Sequence, residues 1–239
     1  MKLSIIIPAY NESPTLKTVL QKVFDTPLDH HLSKEVILVN DCSTDDTLDQ
    51  ALEFQKSEPG LRIISHKTNK GKGASIRTGI EQASGDLVII QDADTEYDPG
   101  EYNLLIKPVV DGFADVVYGS RFSGGNPHRI LFFWHSIGNK FLTFLSNMFT
   151  DLNLTDMETG YKLFRADILK KVKLRENRFG FEPEVTAKIA RIPGIRIYET
   201  GISYYGRTFN EGKKINWRDG LKAIYCILKY NLFFRNPYK

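Results

Sequence analysis

Leu87-Val88-Ile89-Ile90-Gln91-Asp92-Ala93-Asp94-Thr95-Glu96-Tyr97-Asp98 decides how the rest of the chain is read. Four apolar residues, three of them β-branched, predict a strand buried on both faces. Polarity then flips within two residues. Side chains two apart on an extended backbone point the same way, so Asp92, Asp94 and Glu96 can offer oxygens to one point. Carboxylates crowded in this way repel one another unless protons or a cation neutralise them. Hard oxygen ligands suit Mg²⁺ or Mn²⁺, ions that keep open positions for substrate phosphates. The metal set expected is therefore Asp92, Asp94 and Glu96. The competing reading is an acidic turn capping a helix after Pro99.

The same pattern of apolar strand followed by polar cluster recurs along the chain. Leu3 to Ile7 predicts a strand ended by Pro8, with Tyr10-Asn11-Glu12 after it and a helix opened by Ser13-Pro14. Glu35 to Asn40 predicts a second strand, followed by Asp41-Cys42-Ser43-Thr44-Asp45, where Ser43 or Thr44 would cap a helix. Leu61 to Ser65 predicts a third strand, and Gly71-Lys72-Gly73 opens a helix running to Gly85. Ala114 to Gly119 is the fifth. Strands alternating with helices at this spacing predict an α/β fold with a mainly parallel sheet covered on both faces. Ligands of such sheets lie beyond the carboxyl ends of the strands. Pro8–Glu12, Asn40–Asp45 and Asp92–Glu96 all fall there, which points to one nucleotide-type site.

After Tyr118 the pattern changes. Ser123-Gly124-Gly125-Asn126-Pro127 has a loop composition and precedes an aromatic helix carrying Ile130, Phe132, Phe133, Trp134, Ile137, Phe141, Phe144, Leu145, Met148 and Phe149. Core packing is its default explanation. Apolar residues nevertheless cover more than one face, as in a helix lying in a membrane interface. A strand at Tyr161–Phe164, a helix at Glu182–Ile192, a strand at Ile195–Tyr204 and a last helix from about Asn216 follow. Gly206 and Gly212 flank Arg207 on a basic loop expected to close over a ligand. The division expected is 1–215 as the catalytic domain and 216–239 as a helical extension packing on that domain or on a membrane.

Composition narrows the classes. A formal charge of +3 over 239 residues is too small to argue for nucleic acid, yet suits an anionic small substrate or an acidic membrane surface. Cys42 and Cys226 show neither metal nor disulfide spacing, which suits a reducing, cytoplasmic compartment, and Met1 to Ile5 resembles a strand rather than a signal peptide. The sequons at Asn11 and Asn153 then read as chance matches. No G-x-G-x-x-G follows the first strand, Gly71-Lys72-Gly73 lacks the upstream glycine of a P-loop, and no G-x-S-x-G elbow occurs.

Pro8-Ala9-Tyr10-Asn11-Glu12, Asp41-Cys42-Ser43-Thr44-Asp45-Asp46-Thr47, Asn69-Lys70-Gly71-Lys72-Gly73, Gln91-Asp92-Ala93-Asp94 and Gly119-Ser120-Arg121-Phe122 stand in the order seen in family 2 glycosyltransferases. The chain resembles the dolichyl- or polyprenyl-phosphate hexosyltransferase branch, similar to dolichol-phosphate mannose synthases, from Leu3 to about Lys214. The resemblance implies a GT-A fold, a nucleotide-sugar donor, a divalent metal (Mg²⁺ or Mn²⁺), inverting transfer and a lipid-phosphate acceptor. It gives Pro8, Tyr10 and Glu12 to the nucleoside, Asp41 to the base edge, and Asp92 and Asp94 to metal and diphosphate. Glu96 stands where relatives often have Gln. Arg121 and Arg207 resemble arginines that hold donor or acceptor phosphates, and Arg129 joins them. Asn40 departs from the Asp of many relatives, and the spanning helices that many relatives append are absent. The expected location is the cytoplasmic membrane face, bound peripherally.

The chemistry agrees independently. Breaking a sugar–diphosphate bond builds negative charge on the leaving nucleotide, which a cation and arginines stabilise. A phosphate acceptor needs no general base. A hydroxyl of a glycolipid or polysaccharide precursor does, and Asp156 or Glu158 would supply it. Asp41 could accept an N–H from uracil or guanine, so UDP-glucose and GDP-mannose types of donor both stay open. A sugar nucleotidyltransferase would need a glycine-rich signature where Pro8–Glu12 stands. A non-catalytic nucleotide-binding module would leave Asp92, Asp94 and Arg207 without a joint purpose.

Overall fold

The computed structural model describes residues 1–124, 129, 130, 132–207, 217–234 and 236–238, with residue 217 described by its backbone only. Its centre is a seven-stranded sheet ordered β3-β2-β1-β4-β6-β5-β7. The strands are β1 (Lys2–Ala9), β2 (Ser33–Asn40), β3 (Leu61–Ser65), β4 (Leu87–Ile90), β5 (Val116–Ser120), β6 (Lys162–Arg165) and β7 (Ile197–Gly201). All run in one direction except β6, which pairs antiparallel with both β4 and β5. The parallel expectation therefore holds with one reversed strand. β1 also runs past Pro8, which pairs in register with Val39 rather than ending the strand.

Alternate residues feed two cores, as the twofold repeat of a strand requires. Leu3, Ile5, Ile7, Leu87 and Ile89 face one side with Leu16, Val19, Leu20 and Val23 of α1 (Leu16–Asp25) and Leu105 and Ile106 of α4 (Tyr102–Val110). Ile6, Val88 and Ile90 face the other, with Ile76 and Ile80 of α3 (Lys72–Gln82) and Val185 and Ile189 of α7 (Phe181–Ile189). The first side is completed by α2 (Thr47–Ser57), which contributes Ala51. A short helix, α6 (Ala166–Leu169), follows β6.

Parallel register brings the ends of β1, β2 and β4 to one edge: Ala9 lies beside Asn40, and Ile6 beside Ile90. Because β6 is reversed, the segment before it, 156–161, enters at that same edge, and Lys162 lies opposite Tyr118. The reversal thus adds one more functional segment to the site edge.

The aromatic segment forms α5 (Phe133–Thr150), and the core expectation holds for half-buried Leu145 and Phe149 but fails for the aromatic stripe. Its buried residues are Asn139, Thr143 and Ser146. Phe133 (67%), Trp134 (80%), Phe141 (51%) and Phe144 (64%) are exposed, as are Ile137 and Met148. At 100° per residue these six fall within an arc of about 100° on the helix, so the helix is apolar outward and polar inward. The last helix, α8 (Trp217–Leu228), packs on α5 and α7 and exposes Leu221 and Tyr225. A π-helical turn (Lys229–Phe233) follows it and exposes Phe233. Among the described residues no helix is long and apolar enough to cross a membrane.

Candidate active site

The first two polar loops are laced together. Ser43 Oγ accepts from Asn11 N at 3.1 Å, Thr47 Oγ1 from Glu12 N at 2.8 Å, and Asp45 Oδ2 from Ser13 N at 3.2 Å. Asn11 takes a left-handed φ of 52° and receives Thr44 N on its side-chain oxygen at 2.8 Å. Burial works to raise the Asp45 carboxyl, but hydrogen bonds from Thr47 and Ser13 outweigh it and hold the group at about 2. Tyr10 stays exposed at 38%, Glu12 is half-buried beside it, and Pro8 is half-buried within β1.

Asp41 is buried, and its oxygens receive His66 Nδ1 (2.7 Å), Lys70 N (2.9 Å) and Gly71 N (2.6 Å). Both oxygens are engaged by the chain itself, so Asp41 fixes the loop that precedes α3.

Asp92 and Asp94 do come together at the end of β4, and each is held by a cation. Lys72 Nζ lies 2.8 Å from Asp92 Oδ1, and Arg207 Nη2 lies 2.5 Å from Asp94 Oδ2. Burial pushes the Asp94 carboxyl up to about 7, with Asp92 and Glu96 adding to the shift against the pull of Arg207. Arg207 outweighs neither burial nor the two carboxylates. Lys72 stays charged: burial works against its ammonium, but Asp92 and Glu182 raise it above its ordinary value.

Glu96 does not join the pair. Its Oε2 accepts Tyr204 O–H at 2.8 Å, and its Oε1 accepts the backbone N–H of Arg207 at 2.8 Å and Nε at 3.3 Å. It is a strut for Arg207, and the three-carboxylate metal set reduces to two. Among the described residues no three His, Cys, Asp or Glu side chains form a metal cluster. Two carboxylates still fit a hard cation that takes its remaining ligands from phosphate and water. The expected hinge Gly212, with Lys213, lies outside the described residues, as do residues 125–127 of the earlier loop.

Asp156 is not placed as a base. It is fully buried and grips Arg121 through Nε at 2.6 Å and Nη2 at 2.7 Å, while accepting Arg121 N (3.1 Å) and Asn139 Nδ2 (3.1 Å). Burial alone would raise its carboxyl, but Arg121 holds it below the ordinary value. The guanidinium of Arg121 lies 5.2 Å from the Tyr204 ring centroid. With Tyr204, Arg129, Ile130, Ser136 and Lys140 it lines a cavity of about 160 Å³. Arg129 is anchored there by Nη1 to the carbonyl of Gly206 at 2.8 Å. Three cationic side chains thus meet between the Arg207 segment and the start of α5.

Residues 4–173 match the model of Glycosyl transferase family 2. The chain belongs to that family. It is 30% identical over 224 residues to an undecaprenyl-phosphate mannosyltransferase of Micrococcus luteus, covering 89% of this chain and 87% of the relative. It is 28% identical to a dodecaprenyl-phosphate galacturonate synthase of Rhizobium johnstonii over 89% of this chain, and spans only 62% of that relative's length. Among solved structures, glucosyl-3-phosphoglycerate synthase of Mycobacterium tuberculosis, in complex with Mn²⁺, UDP and glucosyl-3-phosphoglycerate, superposes with a TM-score of 0.73 at 18% identity, covering 96% and 80% of the two chains. That likeness establishes the GT-A fold.

In this family 2 glycosyltransferase, three site residues escaped the sequence reading. Lys72 was visible only as a motif letter between glycines. Glu182, in the first turn of α7, is far from every motif in sequence, and Tyr204 stands three residues before Arg207 with no motif of its own.

Proposed function

We propose that the protein transfers a hexose from a nucleotide-diphosphate sugar to a polyprenyl phosphate, working at a membrane surface. The observation that carries this reading is the cavity of Arg121, Arg129 and Lys140 set directly beside the exposed aromatic stripe of α5. A lipid phosphate needs a cationic seat for its head and an apolar surface for its chain, and these adjoin. The lipid-phosphate relatives named above support the acceptor class. Outward aromatic residues on α5 and α8, with Lys140 and Lys222 among them, suit a helix pair lying in the headgroup region.

Asp92 and Asp94 would hold Mg²⁺ or Mn²⁺, which when bound supplies positive charge to the leaving diphosphate. Arg207 sits on Asp94 and reaches toward Glu12, at 3.8 Å, so it spans the nucleotide edge and the diphosphate edge. Its planar fork suits bidentate phosphate contact as charge builds on the leaving group. Arg121, locked by Asp156, presents a fixed guanidinium to the acceptor cavity. The acceptor phosphate is already anionic, so no side chain has to remove a proton.

One observation favours a hydroxyl acceptor as the second reading. Glu158 is half-buried, its Oε1 has no hydrogen-bond partner, and burial with Glu182 pushes its carboxyl up to about 8. It, and not Asp156, would be the base.

The test is transfer from UDP-glucose and GDP-mannose, with Mn²⁺, to a polyprenyl phosphate or to the matching polyprenol in anionic vesicles. Phe132→Asp with Phe133→Asp, both outward at 61% and 67% exposure, should lower vesicle binding and transfer while sparing nucleotide binding. Transfer to the alcohol alone would move the assignment to the second reading.

A further inference from the structure

Lys72 is pinned more firmly than a surface lysine at a helix start. Gly71 before it has a φ of +97°, and a Cβ there would come within 2.5 Å of the Asn177 carbonyl oxygen. A Cβ on Gly73 would come within 2.4 Å of the Glu176 carbonyl oxygen. Ala74 N donates to the Asn177 carbonyl at 3.0 Å. The backbone on both sides is therefore packed against segment 176–178 and cannot retreat. From this fixed base Lys72 Nζ bridges two carboxylates, Asp92 Oδ1 at 2.8 Å and Glu182 Oε1 at 3.3 Å.

The two carboxylates differ in what else they do. Asp92 is approached closely on one side, since a Cβ on residue 160 would come within 2.6 Å of its Oδ2 and only Gly160 leaves it that room. Glu182 is only 4% exposed, yet its Oε2 has no hydrogen-bond partner. A buried carboxylate oxygen left unpaired is costly. It makes sense as an acceptor used in another state of the site.

We propose that Lys72 is a positioning residue that trades places with the divalent cation at Asp92. The inference rests on the reading that Asp92 and Asp94 hold such a cation. Without the cation, the ammonium holds Asp92 aimed at the site. With the cation, Lys72 gives up Asp92 and closes on both oxygens of Glu182, a short move along a bridge it already makes. No bond forms or breaks in this exchange. Its consequence is that the cation on its own meets a competing charge, whereas a nucleoside diphosphate, bringing anionic oxygens, offsets that competition. Metal and donor are thereby made to bind together.

The two ends of the bridge predict opposite signs. Mn²⁺ alone is titrated into the full chain and free Mn²⁺ read by electron paramagnetic resonance, then again with UDP or GDP present. Removing the competing ammonium in Lys72→Met should tighten binding of Mn²⁺ alone by at least about tenfold, a lower bound for a unit charge a few ångströms from a divalent ion at a water-like dielectric. Glu182→Gln removes the alternative partner, ties Lys72 to Asp92 and should weaken Mn²⁺ alone. Lys72→Arg should stay near wild type. Nucleoside diphosphate should shrink all three differences. Shifts of the same sign in both variants, or none, overturn the exchange. So does a Lys72→Met variant that loses UDP and GDP in the absence of metal, since Lys72 would then be a phosphate ligand. If Lys72→Met does not fold, the isosteric Glu182→Gln decides alone: weaker Mn²⁺ supports the exchange, and unchanged or tighter Mn²⁺ overturns it. A wild-type chain that takes up no Mn²⁺ even with UDP or GDP removes the cation reading, and the exchange with it.

Discussion

Asp156→Asn separates a strut from a base. Asp156 is fully buried and Arg121 is 8% exposed. The carboxylate accepts two side-chain hydrogen bonds from the guanidinium and one from the Arg121 backbone. Substituting the amide keeps the shape, removes the negative charge and leaves a buried guanidinium uncompensated. Breaking a buried ion pair from one side costs about 3–5 kcal/mol. The retained amide oxygen still accepts one bond, so the lower end, about 3 kcal/mol, applies. For a domain of this size each kcal/mol moves the midpoint by roughly 2–4 °C, so the melting temperature should fall by roughly 6–12 °C.

The pH dependence has a definite sign. The folded carboxyl titrates below its unfolded value of about 3.9, so its stabilisation is fully present above that pH and is lost as pH falls through the depressed folded value. Wild type should therefore lose stability below about pH 4 more steeply than Asp156→Asn. Melting curves at pH 3 to 8, with transfer measured well below the lower midpoint, check both. A variant with an unchanged midpoint and no transfer would refute the strut assignment and restore Asp156 as a base.

Three further outcomes follow from the geometry. Asp94 is raised to about 7 in the folded chain, so in EDTA its own contribution to stability is full below the ordinary carboxylate range and is lost as pH rises through about 7; Asp94→Asn should flatten that slope in melting curves while abolishing transfer. Gly160→Ala would push the Asp92 carboxylate aside, and about a hundredfold loss of transfer with a normal circular dichroism spectrum is expected. Gly71→Ala combines a left-handed backbone with a clash on Asn177 and should cost at least ~2 kcal/mol in urea denaturation.

The site edge was legible because its chemistry is written at strand ends. Each of β1, β2 and β4 is a run of buried aliphatic residues followed at once by polar ones, and parallel pairing then forces convergence. Asp92, Asp94 and Glu12 stand in those clusters, whereas Arg207, beyond β7, was marked by the family resemblance and its glycine-flanked loop. Strand direction does not show in a twofold pattern, so the reversal of β6, and with it the placing of 156–160 beside Asp92, was not legible. The intramolecular partners of Asp41, Glu96 and Asp156 were not legible for one reason. A carboxylate in a motif is the same letter whether its oxygens face a ligand or are already filled by Gly71, Tyr204 or Arg121.

Helix α5 shows how hydrophobicity by itself misleads. The sequence carries two stripes, one apolar (Phe133, Ile137, Phe141, Phe144, Met148) and one polar (Asn139, Thr143, Ser146). Composition favours burying the first. The chain buries the second, where two of the three have partners: Asn139 Nδ2 donates to Asp156 at 3.1 Å, and Thr143 Oγ1 accepts Met157 N at 3.1 Å. Half-buried Leu142, Leu145 and Phe149 flank these and pack on the core formed by β4, α3 and α7. The helix is thereby seated by hydrogen bonds to the segment that fixes Arg121, and its aromatic stripe is left outward as a consequence. The wall of the cationic cavity and the apolar surface next to it are then two faces of one rigid element. A change at Asn139 should be felt first in the setting of Arg121, not in the exposed stripe.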